Sequence, residues 1–202
     1  MIIFITHAEK SKINYDSLSN EGYVRRNTLS EFFINKYNKH LNTPEYILIP
    51  NKAYNNACIQ TVSMLAYELR LNVNNIYTDE TDTNFYNIMS FVKKNINNDI
   101  LICWNKEELV KLVEKMIFYF YNKKITLKWG RNPLTEEHDD SSTIWVIDPI
   151  KDTLNVYNQF DVIYNEKYKR LDVNYDNVKI DPILSINIKN TSYIQRIKSF
   201  FL

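Results

Sequence analysis

Glycine and cysteine are scarce in this chain of 202 residues, which contains 2 Gly and 2 Cys. The P-loop and dinucleotide-binding loops need several glycines, because the backbone must approach the phosphate closely. The scarcity of glycine therefore excludes both kinds of site. The two cysteines, Cys58 and Cys103, are too few for a disulfide framework. Both fall in apolar segments, where a free cysteine packs as a small hydrophobic residue.

A net charge and long hydrophobic runs are also missing. The chain has 25 Lys+Arg against 24 Asp+Glu, whereas a general nucleic-acid binder carries a basic excess. No segment approaches the ~20 apolar residues that cross a membrane. The first residues have no basic region before their apolar run, so we expect no signal peptide and a cytoplasmic, reducing environment. Asn, Ile, Lys and Tyr have A/T-rich codons, and their abundance suggests a low-GC genome such as that of a large virus or a protist.

Apolar runs alternate with helical periodicity along most of the chain. Continuous apolar strands are predicted at residues 1–6, 46–49, 99–104 and 143–148, with extended pieces at 72–77 and 154–157. Helices are predicted at about 18–39, 56–70, 84–95 and 107–121. In the first helix, Val24, Leu29, Phe32, Phe33 and Tyr37 should form the buried stripe. The pattern predicts an α/β three-layer sandwich, with a mostly parallel sheet and helices on both faces.

The last part of the chain has a different pattern. Residues 1–158 have the length and core of one domain, whereas residues 159–202 contain short extended pieces punctuated by Asn, Asp and Lys. We predict a C-terminal extension packed on the same domain. Because this extension is rich in Tyr and Ile, it is also a candidate surface for forming a homodimer.

In a sheet of this kind, ligands bind beyond the carboxyl ends of the strands. The first such end carries Thr6-His7-Ala8-Glu9-Lys10, followed by Leu18-Ser19-x-x-Gly22-x-x-x-Arg26. These segments resemble the opening of a histidine phosphatase (phosphoglycerate-mutase-like) domain, where a strand ends in Arg-His and a helix begins with L-[TS]-x-x-G. Three further segments resemble the family in the same order, namely Gln60-Thr61, Leu101-Ile102-Cys103-Trp104 and Trp145-Val146-Ile147-Asp148. The resemblance extends over residues 1–158.

The resemblance implies that His7 stands where the family has its nucleophile. In this family a histidine attacks phosphorus, and arginines with a second histidine stabilise the charge on the phosphoryl oxygens. Here Thr6 occupies the position of the arginine before the nucleophile, and Lys10 keeps the second basic position. Ala57 occupies the position of the other arginine.

The second histidine of the family is also replaced. Depending on the register, its position is taken by Trp104 or by Lys106. We prefer Lys106, since one branch of the family has its own tryptophan at the position of Trp104. Alternation along an extended chain would let both residues reach the same pocket. Lys10 and Lys106 are therefore the candidate phosphate-binding residues, and the family's acidic proton donor is not identifiable.

These replacements predict a degenerate histidine-phosphatase-like protein that acts by binding a phosphorylated small molecule, a phosphorylated protein or another protein. The alternative is a weak phosphomonoesterase, with His7 as nucleophile and Lys10 and Lys106 as a phosphate clamp. No cofactor is implied. The acidic run at residues 136–140 contains His138 and could suggest a metal site. However, consecutive residues converge poorly on one ion, so a solvated loop is the preferred interpretation.

Overall fold

A computed structural model describes residues 1–14, 17–34, 41–51, 56–77, 83–127, 129, 143–158 and 186–187. The strands within this part of the chain are β1 (Ile2–Thr6), β2 (Tyr46–Asn51), β3 (Val73–Tyr77), β4 (Ile100–Trp104), β5 (Thr143–Asp148), β6 (Thr153–Asn158) and β7 (Ile186–Asn187). The helices are α1 (Asn20–Ile34), α2 (Asn56–Leu69), α3 (Thr83–Lys94) and α4 (Lys106–Tyr121).

The described strands form one mixed sheet in the order β3-β2-β4-β1-β5-β6-β7. The four strands from β3 to β1 are parallel, and β5, β6 and β7 add antiparallel pairs at the other side. The parallel part follows from the helix between each pair of strands, because a parallel connection needs a crossover. β1 and β4 lie side by side in the middle, so their carboxyl ends meet.

Two apolar clusters cover the two faces of the sheet. One contains Phe4, Ile102 and Trp145 with residues of α3 and α4. The other contains Ile5, Cys103 and residues of α1 and α2. Successive residues of β1 and β4 alternate between the clusters, as the period of two along a strand requires. The prediction of an α/β fold with helices on both faces is confirmed.

The predicted helices and strands match the described ones to within about two residues at the ends that the structure describes. The buried stripe of α1 is partly wrong. Leu29, Phe32 and Phe33 are buried as predicted, but Val24 is 55% exposed, and Tyr37 lies outside the described residues. The buried face of α1 instead includes Arg25, which is 3% exposed. The Arg25 guanidinium is directed at the segment that follows β1.

The predicted C-terminal extension lies almost wholly outside the described residues. Its described part is β7, which pairs antiparallel with β6 through Thr153 and Leu154. The division at residue 158 stays a prediction. Among the described helices, none has both the length and the apolar composition needed to cross a membrane.

Candidate functional site

The candidate site lies where β1 and β4 end next to each other. Thr6, the last residue of β1, is paired in register with Trp104, the last residue of β4. The backbone N–H of His7 donates to the carbonyl of Trp104 at 3.2 Å. His7 therefore leaves the sheet at its carboxyl edge, where the sequence predicted a ligand site.

The imidazole of His7 is held in one orientation. Its Nδ1 lies 2.8 Å from the carbonyl oxygen of Ala8. Because a carbonyl only accepts, this contact requires the hydrogen on Nδ1 and leaves Nε2 with its lone pair. Burial lowers the pKa of His7 below its usual 6.5; the Ala8 carbonyl and the charge of Glu9 oppose this shift, and the charges of Lys10 and Arg25 add to it. A neutral ring with a bare Nε2 has the form of a nucleophile.

The backbone after His7 is anchored to α2. Ala8 donates its N–H to Thr61 Oγ1 at 2.7 Å, and the Thr61 hydroxyl donates to the carbonyl of Ala57 at 2.6 Å. The N–H of Leu18 donates to Gln60 Oε1 at 2.9 Å. The Gln60-Thr61 segment of the resemblance thus positions the loop through its side chains.

The three replaced positions of the family pattern are all buried. Thr6 is fully buried and donates to the Trp104 carbonyl at 3.3 Å. Ala57 is 1% exposed and packs with Ala8 and Leu18 in a small apolar cluster. The indole of Trp104 lies in the cluster under α3 and α4. Thr6 and Ala57 thus contribute packing at the positions that the resemblance compares with arginines. Trp104 contributes packing at one of the two positions compared with the second histidine.

The two lysines predicted as a phosphate clamp lie in different surroundings. Lys10 is exposed and its charge acts on His7. Lys106 is the first residue of α4, and its Nζ lies 5.5 Å from the centroid of the Trp129 ring. The extended chain ends at Asn105, so the shared pocket of Trp104 and Lys106 stays a prediction. The charge of Lys10 thus acts on His7, whereas Lys106 contacts the Trp129 ring.

Arg25 is the residue of this site that the sequence reasoning missed. Its Nη1 donates to Glu9 Oε1 at 3.0 Å and to the His7 carbonyl at 3.4 Å, and its Nη2 lies 3.5 Å from the Thr6 carbonyl. The motif comparison pointed to Arg26, which is one position further and faces Tyr23 and Asn27. The available signal was spacing, since residues 22 and 25 lie on the same side of a helix.

Glu9 supplies the only described carboxylate whose charge acts on His7. Its Oε1 is paired with Arg25, and its Oε2 is buried without a hydrogen-bond partner among the described residues. The carbonyl of Glu9 accepts from the N–H of Ser19 at 2.8 Å. Glu9 is thus bound to α1 through both its backbone and its side chain.

The cysteines are buried, as their apolar segments indicated. Burial raises the pKa of the Cys103 thiol well above its usual value, and contact with Cys58 adds to this effect. Thiolate chemistry is therefore disfavoured. The acidic run at residues 136–140 lies outside the described residues. Within the described part of the chain, no group of three or more His, Cys, Asp or Glu side chains is arranged to hold a metal ion.

No family model and no curated protein matches this chain. Solved structures that are similar to it include two described as phosphohistidine phosphatase SixA. The protein from Agrobacterium tumefaciens is 16% identical, with a TM-score of 0.38, and the match covers 57% of this chain and 75% of that one. The protein from Nakamurella multipartitia is 10% identical, with a TM-score of 0.45, and the match covers 80% and 88%. At these identities, the similarity concerns the chain trace and carries no information about activity.

Proposed function

We propose that this chain is a histidine-phosphatase-like domain that binds a phosphorylated ligand beside His7 and Lys10 without efficient phosphoryl transfer. The observation that carries the proposal is the packing of the replaced positions. Thr6 and Ala57 are buried where the family pattern has arginines, and Trp104 is enclosed by apolar side chains. Arg25 directs its donors to protein oxygens instead.

The size of the missing contribution explains why catalysis is the part expected to be lost. Removing one preorganised donor to a developing oxyanion costs ~10²–10³ in rate. Two or three such donors are replaced here, so the loss is large even though such effects are not additive. Turnover at the rate of an intact family member would require another source of this stabilisation.

Binding requires less than catalysis does. One unit charge pair at 4 Å contributes about 4 kcal/mol at an effective dielectric constant of 20, before desolvation is subtracted. Lys10 supplies a cation whose charge acts on His7. The lone pair on Nε2 of His7 can accept a hydrogen bond from the hydroxyl of a phosphate monoanion. These two groups suffice for a weak anion site.

The alternative function is a weak phosphomonoesterase with His7 as nucleophile. One specific observation favours it, namely the contact between His7 Nδ1 and the Ala8 carbonyl at 2.8 Å. This contact prepares Nε2 for attack on phosphorus. The charge on the phosphoryl oxygens would then be stabilised by Lys10, with Lys106 joining if a ligand draws it away from Trp129.

A titration with inorganic phosphate tests the binding proposal. The chemical shift of the His7 Cε1–H resonance reports binding, and His7→Asn assigns that resonance. We expect saturable binding that Lys10→Gln weakens about three- to fivefold, which corresponds to the ~0.5–1 kcal/mol of a partly exposed ion pair. Lys12→Gln is the matched control, because Lys12 is an exposed lysine two residues away. Equal weakening by both variants, or no saturable binding, would overturn the proposal.

A further inference from the structure

Arg25 is buried to a degree that arginine rarely tolerates without close partners. It is 3% exposed, and burying an unpaired guanidinium would be very costly. Three of its acceptors belong to one short segment, residues 6–9. They are the carbonyls of Thr6 and His7 and the carboxylate of Glu9. The segment that carries His7 therefore supplies three acceptors to the Arg25 guanidinium.

Residues 6–9 contact α1 and Ser19, the residue before it, at intervals of three residues. Ser19 donates its backbone N–H to the Glu9 carbonyl. Gly22 lies so close to that same carbonyl that a Cβ atom would overlap its oxygen. Arg25 continues the row on the next turn with the Glu9 carboxylate. The spacing places all three on one side of α1.

The planar fork of arginine suits this arrangement. Its two Nη atoms reach different acceptors at the same time, Nη1 with Glu9 and His7 and Nη2 with Thr6. A lysine ammonium is a single point on a flexible stem and would not span these acceptors. The hydrogen bond to Glu9 is charge-assisted, which is the stronger kind.

We propose that Arg25, with Glu9 as its counter-ion, is the positioning residue of the His7 site: it fixes residues 6–9 against α1 and thereby sets the orientation and charge of the His7 imidazole. It acts through the backbone and does not contact the ligand. The proposal rests on the proposed function only in taking His7 as the group that meets the ligand.

The charged groups that act on His7 give this proposal an electrostatic signature. They are Lys10, on the same loop, Arg25, on α1, and Glu9. Loss of the Arg25 charge removes one cation and leaves the Glu9 carboxylate uncompensated. Both effects favour the protonated ring, so the midpoint of the His7 titration should rise. Loss of the Glu9 charge should lower it.

The experiment measures the titration midpoint of the His7 Cε1–H resonance and the ¹⁵N shifts of its ring in the absence of ligand. Arg25→Met should raise the midpoint and reduce the population with the hydrogen on Nδ1. Glu9→Gln should lower the midpoint. Arg25→Lys keeps the positive charge, so its midpoint should be nearer to that of the unmodified protein than the midpoint of Arg25→Met is. Arg26→Met is the matched control, since it removes a neighbouring charge whose contacts are Tyr23 and Asn27; it should change neither readout.

A midpoint for Arg25→Met equal to that of Arg26→Met would overturn the proposal, as would shifts of the same sign in Arg25→Met and Glu9→Gln. If circular dichroism shows that Arg25→Met does not fold, Glu9→Gln decides, and an unchanged midpoint overturns the proposal. The phosphate titration separates this result from the proposed function. If the variants shift the His7 midpoint as predicted but the protein does not bind phosphate, the proposed binding site is contradicted. The positioning role of Arg25 is then still supported.

Discussion

The ends of β1 and β4 lie side by side, yet they are built in different ways. The segment after β1 is polar and is held by hydrogen bonds from Ser19 and to Thr61, which fix the backbone around His7. The end of β4 is an apolar packing site in which Trp104 is 4% exposed and donates its indole N–H to Glu108 Oε2 at 3.1 Å. The β1 side of the expected pocket therefore presents polar groups around His7, whereas the β4 side is part of the apolar core.

The proposed function implies that the support of a nucleophile and a phosphate clamp can be lost separately. The support of His7 comes from backbone groups and from Thr61, whose contacts also stabilise the fold. Cationic side chains in a pocket contribute little to the fold and can be replaced by packing. We therefore expect variants at the end of β1 to affect stability and ligand binding together. Variants at the end of β4 should affect stability alone.

Gly22→Ala should have the largest effect. Its Cβ would overlap the Glu9 carbonyl oxygen and approach Leu18 Cβ to 3.1 Å, so either α1 or the His7 loop must move. Overpacking of this kind costs up to about 3 kcal/mol, although Gly→Ala at an exposed helical site is usually stabilising. Urea unfolding measures the loss, and Asn27→Ala on the exposed side of α1 is the control. A Gly22→Ala protein as stable as the control would show that α1 does not constrain the loop.

Thr61→Val should have the next largest effect. Valine preserves the shape of threonine, but it leaves the buried Ala8 N–H without its acceptor. An unsatisfied buried donor costs about 1–3 kcal/mol. Thr28→Val is the matched control, because its hydroxyl donates only to the Val24 carbonyl within its own helix. Equal losses in urea unfolding for the two variants would mean that the bond to the loop contributes nothing.

Trp104→Phe should cost about 2 kcal/mol, because it removes a hydrogen bond to a carboxylate. The same change should leave phosphate affinity within twofold, since the account places Trp104 in the core. Glu108→Gln keeps an acceptor for the indole and should cost less. A Trp104→Phe protein that loses phosphate binding while its unfolding free energy is unchanged would contradict the contrast between the two strand ends.

The smallest effect should be a pH dependence of stability due to His7. Burial lowers the pKa of His7 in the folded protein below 6.5, so the unfolded chain binds the proton more readily. The free energy of unfolding should therefore fall as the pH drops below about 6.5, and this contribution levels off below the pKa of the folded state. His7→Asn should remove this part of the slope, measured by urea unfolding between pH 5 and 8. An unchanged slope would place His7 in a solvent-like environment.

The fold was largely predictable because the runs that form β1, β4 and β5 are continuously apolar and the intervening segments have helical periodicity. The site was predictable only where it depends on local motifs. His7, Lys10 and Gly22 follow from such motifs, whereas Arg25 does not. The buried face of α1 includes Arg25, Thr28 and Ser30, and its exposed face includes Tyr23 and Val24. Polarity therefore does not separate the two faces of this helix. The surroundings of Trp104 and Lys106 depend on where β4 ends and where α4 begins. The hydrophobic pattern of the sequence does not fix that boundary to the residue.

Hydrolysis of p-nitrophenyl phosphate by the unmodified protein and by His7→Ala is the most direct test of the central claim. High protein concentrations are needed, so that a slow reaction is not missed. If the domain binds phosphate without efficient transfer, the two proteins should give the same low rate. Robust hydrolysis that disappears in His7→Ala would contradict the account and would establish His7 as a working nucleophile without the family's arginines.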